Sequence, residues 1–459
     1  MRSTRLGWLL PAVLTALVTG CGTAKTEQRA HGEPAGATQT SSSANAARAR
    51  ASQSADVRLG VPPANRSGAF ATRHTLRVPR GWTAEVWALV PGARLEQWTP
   101  TGDLLVSEPG GGKIVELAPR ANRSSPPSQR VIVSGLNQPQ GMAFDRVGGR
   151  EVLYVAETDQ IDRYVWLGNH VGSRTVLIPG LPSGNDHTLK NVVVGLGHDL
   201  YFDIGSTANA SPSPPSNPPY ATVMEYAPSG QRIRVWATGV RNGDGLSFAP
   251  DGSLWTAVNE RDDIAYPFNR AYRGHSSAYG QVIQAYVNDH PPDEIAKLTA
   301  GRNLGWPYCD PDPDVDPGAE STGFTYENLK FDFDAQTNPG GRVLNCGTLA
   351  RLELGLPAHS APLGFHFLQN SRLPAVWRAG AVVAVHGSWD RQPPRAPAVL
   401  WMPWDSGATH TLGTAQGLIT GFQYPNGSRW GRVVDAIPGP DGALYVSDDT
   451  TGAIYRFVP

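Results

Sequence analysis

Cysteine is nearly absent from this sequence, with three residues in 459. That excludes a disulfide-dense scaffold. No Cys-x-x-Cys pair exists, and no HExxH, P-loop or GxSxG pattern occurs. Charge is also sparse. Charged residues make up 17% of the chain, below the usual quarter. With 39 Lys and Arg against 40 Asp and Glu, the net charge is −1. No basic field exists to attract a phosphate backbone, which argues against a nucleic-acid partner. What is plentiful is Gly (51) and Pro (40), with 13 Trp and 14 Tyr. That mixture suits many short strands joined by turns, not a helical bundle. Length alone suggests two or three domains, but a large all-β fold can use it in one core.

The N-terminus has its own pattern. Arg2 and Arg5 precede an apolar run from Leu6 to Val18, too short to span a bilayer. A basic start followed by a short apolar stretch reads as an export signal. It ends in Val18-Thr19-Gly20-Cys21, which resembles a bacterial lipobox. On that reading residues 1–20 are a lipoprotein signal peptide and Cys21 becomes the lipidated N-terminus. Two or more acyl chains anchor stably, so the expectation is an exported, lipid-anchored protein at the bacterial cell envelope. From Gly22 to about Arg73 the chain is rich in Ala, Ser, Thr, Gln and Gly. Such a stretch buries too little to offset its ordering entropy, so residues 21–73 are expected to form a flexible linker. Export implies an oxidising compartment. Cys309 and Cys346 can then pair, worth about 3–4 kcal/mol by loop entropy; the alternative is two buried free thiols.

From about His74 onward one unit recurs: a Gly- or Asp-rich turn, a short apolar strand, then small or acidic residues. Its copies are Thr101–Glu108, Glu151–Glu157, Gly197–Asp203, Pro250–Ala257, Ala379–Val385 and Pro440–Ser447. Most spacings are roughly 47–62 residues, the signature of a β-propeller, whose blades each need a neighbour to cover an apolar face. Ring closure also removes free edges. Six copies predict an all-β, six-bladed β-propeller over residues 74–459. The one long gap, between Trp255 and Val382, then holds insertions. A pair of β-sandwiches with coincidental turns is the alternative.

The loops around these strands carry Asp186-His187, Arg241-Asn242, Asn259-Glu260-Arg261-Asp262-Asp263, His386-Gly387-Ser388-Trp389-Asp390-Arg391 and Arg429-Trp430-Gly431-Arg432. Together with Ser107–Ile114, Gly305-Trp306-Pro307-Tyr308-Cys309 and Leu356–Gly364, in this order, they resemble the soluble glucose and sorbosone dehydrogenases. Those are six-bladed propellers that use pyrroloquinoline quinone (PQQ) and Ca²⁺. The resemblance runs from about residue 80 to the C-terminus. It implies oxidation of a sugar or related alcohol or aldehyde hydrate, with electrons passing to an acceptor at the cell envelope.

The resemblance makes His187 the general base, since a neutral imidazole can take a hydroxyl proton as hydride leaves the same carbon. Asp186 would orient it. Arg241 is placed at both the catalytic and the cofactor site. Asn242, Trp389, Arg391 and Arg432 are expected to contact PQQ, because Arg suits carboxylates and planar rings. The metal loop is expected at Glu260, Arg261 and Asp262, with Asp263 beside them. Here the chain departs from the soluble glucose enzyme, which has a Gly-Pro pair in place of Glu260-Arg261. An insertion of roughly 25 residues follows, to about Asp289. The Ser- and Pro-rich segment 206–220 suggests a mobile rim. The run Asp310, Asp312, Asp314 and Asp316 lacks the Gly and Glu of an EF-hand and reads as a stiff solvated loop. His359, His366 and His386 read as ordinary hydrogen-bonded residues of core or channel. Two rivals stand. One is a non-catalytic propeller that binds a protein or glycan. The other is a Ca²⁺-dependent sugar lactonase, which would bring Glu108, Asn242 and Asp448 around one ion.

Overall fold

The computed structural model describes residues 53–184, 186–407 and 410–459. The expected signal peptide and Cys21 lie outside the described residues. Six sheets form the blades, antiparallel throughout except for a short parallel strand, Arg302–Asn303, at the outer edge of blade 3. All six copies of the repeat are second strands of a blade, such as Leu104–Glu108, Leu200–Ile204 and Leu444–Asp448. Five of these six are buried along their whole length. A strand covered on both faces reads as a continuous apolar run, and this is why the second strand was the visible one. The innermost strands are shorter and run just before it: Glu96–Trp98, Met142–Val147, Val192–Val194, Gly245–Phe248, Pro362–Phe367 and Val433–Pro438. Each of them meets the next around a closed ring.

Large side chains fill the spaces between blades. Trp255 and Ala257 pack with Phe365 and Val383 between blades 4 and 5. Leu104 and Val106 pack with Tyr445 and Ile454 between blades 6 and 1. Blade 6 is made from both ends of the chain. Its outer strand Thr83–Leu89 pairs with the C-terminal strand Ala453–Val458.

The long gap is not a missing blade. Blade 4 takes Asp293–Leu298 and Leu352–Leu356 as its third and fourth strands, then adds the hairpin Cys309–Asp312 and Glu327–Phe333. Cys309 and Cys346 form a disulfide across 37 residues. The insertion after Asp263 folds around its own small core of Ile264, Tyr266, Tyr272, Ile283, Tyr286 and Val287.

The linker boundary needs correction. Within the expected linker the strand Ser54–Arg58 pairs with Thr75–Pro79. Leu59 and Phe70 are buried with Trp401, Phe422 and Trp430. Two large apolar residues in a mostly polar stretch find a surface on blades 5 and 6.

In every blade the first and second strands are antiparallel. The start of the first and the end of the second therefore lie at the same end of the ring. Residues just before an innermost strand and just after a second strand converge on one face, whatever their distance in sequence.

Candidate active site

Blades 3, 4 and 5 supply one connected cluster on that face. His187 precedes the innermost strand of blade 3, and Ser206 follows its second strand. His187 Nδ1 lies 2.9 Å from Ser206 Oγ, and Ser206 Oγ donates to the Ala208 carbonyl at 2.9 Å. The serine proton is thus committed, so Nδ1–H donates to Oγ and the imidazole lone pair falls on Nε2. Burial, then the Arg241 charge, push the His187 pKa down to about 3. The ring is neutral at neutral pH. Gly205 makes the close approach possible, since a Cβ there would sit 2.5 Å from both the Cβ and the carbonyl oxygen of His187.

Arg241 is buried, at 3% exposure. Its guanidinium donates to Asn209 O (2.9 Å), Asn209 Oδ1 (2.9 Å) and Asn259 O (2.8 Å). Asn209 binds the next loop from both ends of its amide. Nδ2 donates to Asp262 O, and Oδ1 accepts from Asp262 N. Trp306 Nε1 also donates to Asn209 O at 3.2 Å. The expected rim segment is therefore held by Asn209. Asp262 faces His359 Nδ1 at 3.5 Å, and Asp390 faces the same nitrogen at 3.2 Å. His359 Nε2–H donates to Val287 O of the insertion at 2.6 Å.

The opposite rim is cationic. Arg432 lies over the Trp389 ring, 4.5 Å from its centroid, and donates to His386 O at 3.1 Å. Trp389 is 76% exposed. Burial and the neighbouring Arg429 push the Arg432 pKa down to about 10. Among the described residues, neither Arg429 nor Arg432 makes an ion pair. Arg94 is different: it binds Asp449 (3.1 Å), Asp244 (3.7 Å) and Gln140 (2.9 Å). His386 Nε2 is 3.0 Å from Asp449, yet burial holds its pKa down to about 4.

Several expected roles need correction. Asp186 is exposed, and the oxygen beside His187 Nδ1 is that of Ser206, not a carboxylate. Arg261 points away from any metal role: its guanidinium is buried against Asp334, Gln336 and the Asp263 carbonyl. Arg391 reaches the insertion, donating to Asn288 O at 3.0 Å and Pro393 O at 2.6 Å. Glu260 is buried beside Arg241, and burial raises its pKa to about 7. Asn242 is buried, and its carbonyl accepts from Asn259 N. Of the three expected metal ligands, Asp262 alone joins a group able to hold a cation among the described residues, with His359 and Asp390. The run at 310–316 is a solvated loop only at its far end, where Asp316 is exposed. Asp310 and Asp312 are buried, because their strand is paired with Glu327–Phe333. Nor do the lactonase residues converge: Glu108 pairs with Lys113 at 3.2 Å, and Asp448 accepts from Tyr455 and the amides of Thr450 and Thr451.

Ser206, Asn209 and His359 were not singled out as site residues from sequence. His359 lies in Leu356–Gly364 and Asp390 in His386–Arg391, stretches already marked by the resemblance. Ser206 and Asn209 sit in a low-complexity Ser/Pro segment, where no motif separates a structural residue from filler.

A closed six-bladed ring with a half-buried neutral histidine and a cationic aromatic rim at one face defines an axial-site β-propeller. The chain belongs to the TrAA12-like family, whose model matches residues 76–458. It is 28% identical over 249 residues to the pyrroloquinoline quinone-dependent pyranose dehydrogenase of Coprinopsis cinerea, covering 48% of this chain and 31% of that protein. An uncharacterized protein of Borreliella burgdorferi is 26% identical over 281 residues, 60% of this chain and 62% of that one. The chain thus spans less than two thirds of either relative's length. Among solved structures, the holo PQQ domain of the Coprinopsis cinerea pyranose dehydrogenase superposes with a TM-score of 0.69 at 21% identity, covering 87% of this chain and 99% of that one. The calcium structure of a Trichoderma reesei family AA12 enzyme gives 0.67 at 18% identity, covering 83% and 96%.

Proposed function

We propose that this protein oxidises a sugar, a pyranose or related aldose, with PQQ as resident cofactor. The observation that carries the proposal is a neutral His187, held through Nδ1 by Ser206, on the same face as guanidinium groups that make no ion pair among the described residues. The family and the named activity of its Coprinopsis relative support it. The donor set fits the cofactor. PQQ is a planar tricarboxylate. Arg432 and Arg429 are cations without a carboxylate partner among the described residues, and Trp389 offers an exposed ring against one of them. Arg432, Trp389, Arg241 and Asn242 would hold it. When bound, the quinone supplies the acceptor for the two electrons that leave the substrate carbon as hydride.

The chain's own residues do the rest. His187 Nε2 takes the hydroxyl proton, and Ser206 fixes the ring orientation through Nδ1. Burial keeps the imidazole neutral, Arg241 adds to this by charge repulsion, and its guanidinium provides positive potential for negative charge developing at the site. Asp262 with the His359–Asp390 pair is the carboxylate-rich candidate for Ca²⁺ at this face. Imidazole is a poor ligand for so hard a cation, so Asp262 and backbone carbonyls of its loop are the better donors. The envelope acceptor and the lipid anchor at Cys21 remain part of the proposal.

The test is reconstitution. The protein is loaded with PQQ and Ca²⁺ and assayed for dye reduction with a panel of aldoses, beside His187→Ala. Sugar-dependent reduction, lost in the variant, is expected. Failure to bind PQQ at micromolar concentration overturns the proposal and favours a binding propeller.

A further inference from the structure

A second group of metal-capable side chains lies away from the axial face, where the insertion meets the added hairpin of blade 4. It consists of His290, Asp312 and Asp314, all nearly inaccessible, with side-chain exposures of 4%, 5% and 2%. His290 follows the insertion directly. The two aspartates lie on the far side, at the end of the strand Cys309–Asp312 and just beyond it.

The hydrogen bonds leave three buried atoms of this group without partners. His290 Nδ1–H donates to the Tyr286 carbonyl at 3.0 Å, so Nε2 is the nitrogen that faces the carboxylates. A backbone carbonyl that fixes the tautomer in this way is the usual support of a metal-bound imidazole. The ring is also held flat against Tyr286, with centroids 3.9 Å apart. Asp312 Oδ1 accepts from Asp314 N (2.8 Å), and Asp314 Oδ2 accepts from Gly318 N (2.9 Å). The remaining atoms, His290 Nε2, Asp312 Oδ2 and Asp314 Oδ1, have no hydrogen-bond partner. Two buried carboxylates beside a buried imidazole need a positive charge between them, which a second proton on the ring supplies when the site is empty and a cation supplies when it is filled.

The spacing suits a cation. His290 Nε2 is 3.2 Å from Asp314 Oδ1 and 3.7 Å from Asp312 Oδ1. Ligands bonded at 2.0–2.2 Å in a tetrahedron stand roughly 3.3–3.6 Å apart.

We propose that His290, Asp312 and Asp314 form a structural site for one divalent cation of the Zn²⁺ or Mn²⁺ type. One imidazole with two carboxylates favours such borderline cations over Ca²⁺ or Mg²⁺. The cation ties the insertion to the hairpin, whose other end is closed by the Cys309–Cys346 disulfide. The consequence reaches the axial face. The insertion supplies the Val287 carbonyl to His359, and Gln284 donates to the Asp390 carbonyl at 2.9 Å. Asn288 binds the backbone of Gln392. A braced insertion is a braced wall of the candidate site.

The test uses the full chain without PQQ, stripped with chelator. Zn²⁺ and Mn²⁺ are then added separately, and bound metal is counted by elemental analysis after gel filtration. One equivalent is expected, with a higher thermal midpoint and slower proteolysis within residues 264–289. Asp314→Asn and His290→Gln are expected to lose the equivalent, whereas His359→Gln retains it. Where a variant fails to fold, the stripped wild type decides: no stoichiometric metal and no change in midpoint or proteolysis overturns the proposal. Retention of the metal in folded Asp314→Asn and His290→Gln overturns it too, as does its loss in His359→Gln alone.

Discussion

The tightest contact in the candidate site is the one between Gly205 and His187, and it can be perturbed without touching a polar atom. In Gly205→Ala the new methyl would meet the His187 Cβ and carbonyl oxygen, each at 2.5 Å. Carbon atoms in contact prefer about 3.5–4.0 Å, so His187 must retreat by roughly 1 Å. Overpacking of this kind costs about 1–3 kcal/mol, which a protein of this size survives. The bond from Nδ1 to Ser206 Oγ, now 2.9 Å, is the first casualty. A displacement of ~1 Å at a reacting group costs about 100-fold in rate. Two assays apply. Sugar-dependent turnover by the PQQ-loaded protein is expected to fall about 100-fold. The His187 ring signal, followed by NMR against pH, is expected to titrate above its wild-type value of about 3 as burial is lost. Gly110→Ala is the control, because nothing lies within 4 Å of a Cβ there. Turnover within about threefold of wild type, with an unmoved titration, would refute the placement of His187 as base.

Other perturbations follow the same physics. Arg241→Met removes the second-largest cause of the low His187 pKa, so the histidine is expected to titrate higher by NMR but still below 6.5, since burial remains. The folded state resists protonating His187 while the unfolded chain accepts a proton near pH 6.5, so this residue removes stability as pH falls from 6.5 toward 3. Between pH 7 and 5 the wild type should therefore lose up to about 2 kcal/mol more than His187→Gln in denaturant titrations. Cys346→Ser opens a loop of 37 residues, worth about 4 kcal/mol; calorimetry should show a midpoint lower by about 4–5 °C. Arg432→Gln removes both a cation and its contact with Trp389, and titration calorimetry should show PQQ binding weakened at least about tenfold.

The fold was legible because each blade carries one strand buried on both faces, and such strands advertise themselves as apolar runs behind Gly-Asp turns. The innermost strands did not. Val192–Val194 has three residues and Glu96–Trp98 opens on a buried glutamate, so neither has a period to detect. His187, Arg241 and Arg432 could be singled out because they lie beside repeat units. Their partners Ser206 and Asn209 could not, because they lie in a Ser- and Pro-rich segment without a motif, and contacts between neighbouring blades join residues as distant as Arg94 and Asp449, which are 355 positions apart. Arg261 and Arg391 show the limit of reading charge from sequence. A guanidinium two bonds from the right loop can turn either way, and here buried Asp334 and the Asn288 carbonyl decide. The aspartates at 310–314 looked solvated because alternating Asp and Pro is normally a surface pattern. Only the pairing of that strand with Glu327–Phe333 takes them out of water.

Blade 6 has a consequence for biogenesis. The strand Ala453–Val458 is the middle partner that holds Thr83–Leu89 to the rest of the sheet. Until residues 453–458 have left the ribosome the sixth blade is incomplete, however many of the first five have formed. The circle can shut only after that strand has been made. A chain lacking residues 453–458 would leave the strand Thr83–Leu89 with no edge to join.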